Sequence, residues 1–398
     1  MKQEQEIIHL AARGDGVTAD GNYVAGAVPG DVLLADGTLR HGPHHAAPAC
    51  RHFGTCGGCD LQHCDDFALA DFVMGRVLHA ARGKGLAAER FAPAHLSPPG
   101  TRRRASLRAI NGGGRPLIGF RQEASHRLVD LAECPVLAPE LFAIIAPLRA
   151  VLARRSGRYG VDVALALTDQ GVDCGLKGLT VEGLQQTEAL LDFARDAALA
   201  RLTLDQGYGT EALWEPEPVT VTLSGVVVPF PSGGFLQATA DGEAALTGAA
   251  REWLAGCATV ADLFSGLGTF AFALAGPARV LAAEAARDAA MACQAGARRG
   301  GKPVEVLHRD LFRNPLLTEE LNRFAGVLLD PPRAGASDQV AQLAASSVAK
   351  VVYVSCNPAT WARDAQVLCA GGYRLAELRP VGQFRWSTHV ELASLFMR

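Results

Sequence analysis

The chain has 398 residues, 49% of them hydrophobic and 20% charged, with a formal charge of −3. A domain ordinarily holds about 100 to 200 residues, so two or three domains with their own cores are expected. No apolar run approaches the roughly 18 residues of a membrane span, and the start MKQEQEIIHL lacks the features of a secretory signal. A monomer in the cytoplasm is the expectation. Ten cysteines in such a chain point to metal or catalytic roles rather than a disulfide framework.

Residues 5–39 read as short strands separated by Gly and Asp turns, a small β module bounded at 1–45. Residues 40–49 carry Pro and His without apolar periodicity and form a linker. Within CRHFGTCGGCDLQHC, Cys50, Cys56 and Cys59 stand in a C-x5-C-x2-C spacing. Zinc is the generic reading of such spacing, with Cys64 and His52 or His63 as further donors, and an iron-sulfur cluster is the other. A helix is expected over 66–84, where Phe67, Leu69, Phe72, Val73, Val77 and Leu78 form an apolar stripe.

Segments 104–130 and 161–181 alternate apolar and polar residues and predict an antiparallel sheet with intervening helices, the core of a middle domain. Arg102, Arg103, Arg104, Arg108, Arg115, Arg121 and Arg127 crowd this region, so a local positive face could hold phosphates although the whole chain is slightly acidic. From Thr259 onward TVADLF, RVLAAE, VEVLH, AGVLLD and KVVYVS are apolar strands separated by helix-length segments. That alternation predicts a doubly wound α/β sheet covered on both faces.

The first of these strands runs into Ser265-Gly-Leu-Gly-Thr-Phe270, where Gly266 and Gly268 allow a tight turn close to a ligand. Glu284 ends the second strand and could accept from both ribose hydroxyls of an adenosine; Asp310 follows the third, near an adenine. The third glycine of the dinucleotide fingerprint is missing, so S-adenosylmethionine fits better than a nicotinamide cofactor. Three further segments end later strands: Asp330-Pro-Pro-Arg333, Ser355-Cys356-Asn357-Pro358 and Thr388-His389-Val390-Glu391. A cysteine ending a strand is most often a small buried hydrophobe, but the Asn-Pro turn after Cys356 favours an exposed edge.

DLFSGLGTF, DPPRAG, VSCNP and THVE, in that order, resemble the uridine-5 RNA methyltransferases, and the likeness runs from about Cys50 to the C-terminus. The resemblance implies a Rossmann-like methyltransferase fold, Cys356 as covalent nucleophile and Glu391 as base. It also implies that Gln237, Phe264, Glu284, Asp310 and Asp330 line the cofactor and target-base site, with Gly266, Gly268 and Thr269 in the cofactor loop. A [4Fe-4S] cluster held by Cys50, Cys56, Cys59 and Cys134 is a further implication, as are an RNA partner and a target base taken out of its stack.

The start GDGVTADGNYVAGAVPGD is similar to a TRAM domain, shortened here. The expected division is 1–45 for this module, 46–64 for the cysteine loop, 65–235 for an RNA-binding α+β domain and 236–398 for the methyltransferase domain. The combination points to 23S ribosomal RNA, with transfer RNA as runner-up and a non-catalytic iron-sulfur RNA-binding factor as the rival of another class. Thr269 stands where many relatives have Asn, Ala295 and Ala297 replace expected asparagines, and QFRWSTHVE replaces the more usual FPxTxHVE.

Overall fold

The computed structural model describes residues 4–398 apart from 113, 124 and 156. Its largest sheet holds, in spatial order, Val304–His308, Arg279–Glu284, Thr259–Leu263, Gly326–Leu329, Lys350–Ser355, Glu391–Met397 and Arg374–Gly382. The first five run parallel, and Glu391–Met397 is antiparallel to both its neighbours. The doubly wound class expected from the apolar strands is therefore the one observed. Arg90–Phe91 and His95–Leu96 extend this sheet along the Arg374–Gly382 edge.

Alternation within each strand builds two cores. Ala261, Leu263, Val351 and Tyr353 face helices Ser337–Ala345 and Pro358–Ala370, and Leu69, Phe72, Val73 and Val77 of helix Asp66–Arg82 join the same core. Val260, Val352 and Val354 face helices Ala240–Trp253 and Arg287–Arg299 on the other side. Strands buried on both faces must be apolar throughout, which is why they stand out in the sequence. Helix Asp66–Arg82 starts where the Asp65 carboxylate accepts from the Ala68 N–H at 2.8 Å, an N-cap.

The middle sheet has the order Thr210–Trp214, Arg201–Asp205, Gly171–Lys177, Tyr159–Thr168, Arg104–Asn111, Leu117–Gly119. It is antiparallel except where Gly171–Lys177 meets Arg201–Asp205 in parallel. Helices Ile145–Ala153 and Gly183–Asp196 pack with this sheet in a third core. At the N-terminus a five-stranded antiparallel sheet, built on Gln5–Leu10, forms the small β module. Among the described residues no helix is long and apolar enough to cross a membrane.

Candidate active site

Parallel strands deliver all their carboxyl ends to one edge of a sheet, and the residues that follow them therefore share a cleft. Phe264 follows Thr259–Leu263, Glu284 ends Arg279–Glu284, Asp310 lies just beyond Val304–His308, Asp330 follows Gly326–Leu329, and Cys356 follows Lys350–Ser355. Glu391 begins an antiparallel strand and so reaches the same edge. Its neighbour Leu392 pairs with Ser355, one residue before Cys356.

The glycine loop is shaped by backbone conformation. Gly266 and Gly268 adopt φ of 54° and 95°, and Phe264 takes φ of 64° without being glycine. Non-glycine residues pay strain for that region, which tends to be stored at functional sites. A Cβ at Gly268 would lie 2.7 Å from Cys293 Sγ and from the Phe272 ring, whereas one at Gly266 would meet nothing within 4 Å. Gly268 is thus required by packing, and Gly266 opens onto free space. Thr269 begins the short helix Thr269–Leu274 and is partly exposed beside the loop.

Glu284 receives the Gly266 N–H at 2.8 Å and the Ala286 N–H at 2.7 Å, so the carboxylate is fixed against the loop. Asp310 Oδ1 accepts from the Phe312 and Arg313 N–H groups at 3.0 and 3.3 Å. This turn sets Phe312 with its ring centroid 5.3 Å from that of Phe264, and Phe312 is 47% exposed. The exposed Phe312 ring beside the acidic strand ends offers a face against which a flat heterocycle could lie. Phe312 escaped the sequence reading; an aromatic two residues after a strand-ending aspartate was the available signal.

Asp262 was missed as well, hidden inside an apolar strand. It is fully buried, with the Ala271 backbone as a weak and poorly aligned partner for its carboxyl. Burial pushes its carboxyl up to about 8, against a weaker pull from the Ala271 backbone.

The reacting cluster is compact. Gln237 Nε2 donates to Asp330 Oδ2 at 3.3 Å, and Gln383 Nε2 donates to Gln237 Oε1 at 2.8 Å and also to Glu391 Oε2. Glu391 is buried, and desolvation pushes its carboxyl up to about 7 although Gln383 and Arg104 pull it down. Burial likewise raises Asp330, and the nearby Glu391 and Asp262 add to the rise. Cys356 is partly exposed, as the Asn-Pro turn implied. The Asn357 side chain caps helix Pro358–Ala370 through the Ala359 N–H at 3.1 Å, so the thiol stands at a rigid strand-to-helix turn. Burial, then Glu391 and Asp330, raise the Cys356 thiol, while Arg333 lowers it.

Arg104 approaches the cluster from the middle sheet. Its guanidinium lies 4.3 Å from the Phe235 ring centre, and its Nε is buried without a hydrogen-bond partner among the described residues. With Arg102, Arg108 and Arg121 it lines a groove of about 1050 Å³ that also takes in Phe384, Thr388 and His389, shortly before Glu391 in the chain. Not every arginine of the cluster faces this groove. Arg103 is tied to Glu243 and to the Gln237 carbonyl, at 2.9 Å for the latter, which makes it a brace between domains. Arg115 pairs with Asp130 at 3.3 Å.

Cys50, Cys56, Cys59 and Cys134 line one small cavity together with His52, Phe53 and Arg102. Among the described residues no group of three or more His, Cys, Asp or Glu is drawn tightly enough to hold a single metal ion. Burial raises Cys50 and Cys56 and pushes Cys59 up to about 12. Cys64, the alternative zinc donor, is instead buried in the core beside helix Asp66–Arg82.

The chain is similar to known proteins over its whole length. An RNA methyltransferase of Zymomonas mobilis, itself uncharacterized, is 48% identical over 395 residues, 99% of this chain and 100% of that one. A 23S rRNA (uracil(1939)-C(5))-methyltransferase of Edwardsiella ictaluri is 35% identical, covering 97% of this chain and 94% of its own. The model of the tRNA (uracil-5-)-methyltransferase family matches residues 308–398. In fold the chain is similar to the Pyrococcus abyssi tRNA (uracil-54, C5)-methyltransferase solved with S-adenosyl-L-homocysteine, with a TM-score of 0.76, 24% identity and coverage of 99% and 100%. Full-length identity at this level, joined to a methyltransferase sheet with an acid-lined glycine loop, establishes that the chain belongs to the RNA uracil-5 methyltransferase family.

Proposed function

We propose that this protein transfers a methyl group to carbon 5 of a uridine in RNA, with Cys356 as covalent nucleophile and Glu391 as the base that completes the reaction. The observation that carries this reading is the juxtaposition of the partly exposed Cys356 and the buried Glu391 at adjoining strand ends, with Ser355 paired to Leu392. S-adenosylmethionine supplies the electrophilic methyl group. The cleft of Phe264, Gly266, Gly268, Thr269, Glu284 and Asp310 suits its adenosine, and Asp330, hydrogen-bonded by Gln237, stands near both Asp262 and the thiol.

Carbon 5 of uracil is a weak nucleophile. Addition of the Cys356 thiolate to carbon 6 forms a carbon–sulfur bond and an enolate whose carbon 5 can take the methyl group. Glu391 then removes the proton from carbon 5; the electrons restore the 5,6 double bond and expel the thiolate. A thiol raised by burial and by Glu391 and Asp330 must lose its proton first. The same burial raises both carboxyls and leaves Glu391 near half-protonated around pH 7, and a protonated carboxyl repels a thiolate less than a carboxylate does. The target base has to leave its stack to reach Cys356, at a cost of about a few kcal/mol, which favours loops and single strands.

The substrate we favour is 23S ribosomal RNA, because the full-length relative from Edwardsiella ictaluri bears that specificity in its name. Transfer RNA is the second reading, favoured by the family model over residues 308–398. Cys50, Cys56, Cys59 and Cys134 would hold a [4Fe-4S] cluster, for which four thiolates around one cavity are a fitting donor set. The N-terminal strands are read as a shortened TRAM-like module.

The test is incubation with 5-fluorouridine-containing RNA and cofactor. Fluorine cannot leave as a proton, so wild type should form a covalent RNA complex stable to denaturing electrophoresis, and Cys356→Ala should form none. A non-catalytic RNA-binding factor would give no complex in either form.

A further inference from the structure

We propose that Gln383 is a positioning residue: its side-chain amide determines which oxygen of Glu391 receives the proton and aligns Gln237 toward Asp330. The inference deepens the proposed function and rests on Glu391 serving as the base. Gln383 directly follows strand Arg374–Gly382, whose antiparallel neighbour begins at Glu391, with Val381 opposite Glu391. Only 1% of it is exposed, so its amide must find partners inside the protein.

Those partners fix its orientation. The backbone N–H of Thr239 lies 3.3 Å from Gln383 Oε1, and an N–H can only donate. The carbonyl end must therefore face Thr239, and the NH₂ end must face Glu391 Oε2 and Gln237 Oε1, the latter at 2.8 Å. Glu391 Oε2 is thus committed to accepting, which leaves Oε1 as the atom that takes a proton. The Gln237 carbonyl is likewise committed, so its NH₂ is directed to Asp330 Oδ2 at 3.3 Å. Gly242, in the first turn of helix Ala240–Trp253, keeps the space clear: a Cβ there would lie 2.8 Å from Gln383 Cβ and 3.0 Å from its Oε1.

Arg104, Asp330 and Cys356 are the charged or titratable groups facing Glu391 from the surrounding elements. Arg104 and the Gln383 amide both favour the carboxylate; Asp330 and a Cys356 thiolate oppose it. Removing the amide donor therefore shifts Glu391 toward its protonated, inactive form.

The test uses full-length Gln383→Met, which keeps the shape without the donor, and Gln383→Glu, which sets a second carboxyl beside Glu391. The substrate is bulk RNA from cells lacking the gene, labelled with tritium at carbon 5 of uridine. Tritium release and the gel-stable complex are followed in single turnovers across pH 6–9. Both variants should accumulate the covalent complex and release tritium about tenfold more slowly at pH 7, with the acid limb of the profile displaced upward by about one pH unit. The displacement should be larger for Gln383→Glu, where two carboxyls share a proton. Complex formation on 5-fluorouridine RNA should keep the wild-type rate. Unchanged release and pH profile in both variants would overturn the proposal, as would an equal loss of complex formation and release with no shift of the limb. Failure of wild type itself to form the 5-fluorouridine complex would remove the covalent reading and this inference together.

Discussion

A carboxyl held near the protonation midpoint carries a stability cost that can be measured. Glu391 ionises at 4.5 in its ordinary state and at about 7 in the folded protein. Its contribution is therefore fully present below pH 4.5 and is lost as pH rises through about 7. The loss across that window corresponds to roughly 3 kcal/mol. Glu391→Gln keeps an oxygen for the Gln383 amide and has no charge to bury. Its melting temperature should exceed that of wild type at pH 8, with the difference shrinking toward pH 4.5, while turnover is abolished. A pH-independent difference in thermal scans would show that Glu391 is not a strained acid. At this scale Cys356 and Glu391 were legible because each stands in a short motif next to a strand end. Gln383 and Phe312 were not: each matters through neighbours that only folding supplies, Thr239 and Glu391 for one, the Phe264 ring for the other.

At the scale of elements, the cysteine loop braces the segment that leads to Glu391. The Asp60 and Leu61 N–H groups donate to the Trp386 carbonyl at 2.7 and 2.9 Å, and Asp60 Oδ2 accepts from the N–H and hydroxyl of Thr388, both at 3.2 Å. Trp386 is held at φ of 59°, a conformation its neighbours must enforce. Asp60→Ala should lower kcat about tenfold through misplacement of Glu391, with cofactor affinity by calorimetry unchanged. Equal loss of cofactor binding would assign Asp60 to general stability.

Arg121 lines the groove and is exposed, whereas Arg103 lies outside it and is committed to Glu243. Arg121→Glu should therefore weaken RNA binding and flatten its salt dependence; an unchanged salt slope would take Arg121 out of the RNA surface. The parallel strands were readable from sequence because burial on both faces makes them apolar throughout. The pairing of Arg90–Phe91 with Arg374–Gly382 was not, since two residues joined to a strand far along the chain leave no local pattern. Nor was the parallel step between Gly171–Lys177 and Arg201–Asp205, which depends on the intervening helix Gly183–Asp196.

Across the whole molecule, Arg102 lines both the cysteine cavity and the groove that takes in Thr388 and His389, just before Glu391 in the chain. A cation beside four thiols would favour an anionic group there. Anaerobic purification should yield about four irons per chain and a brown protein. Stoichiometric zinc in a colourless protein would replace the cluster with a zinc site.

The central claim is that this chain methylates carbon 5 of uridine in RNA through Cys356. Mass-spectrometric mapping of 5-methyluridine in 23S ribosomal and transfer RNA, from cells with and without the gene, tests it most directly. Deletion should remove the modification at a defined uridine, with wild type restoring it and Cys356→Ala failing to do so. An unchanged 5-methyluridine map, or full restoration by Cys356→Ala, would contradict the account.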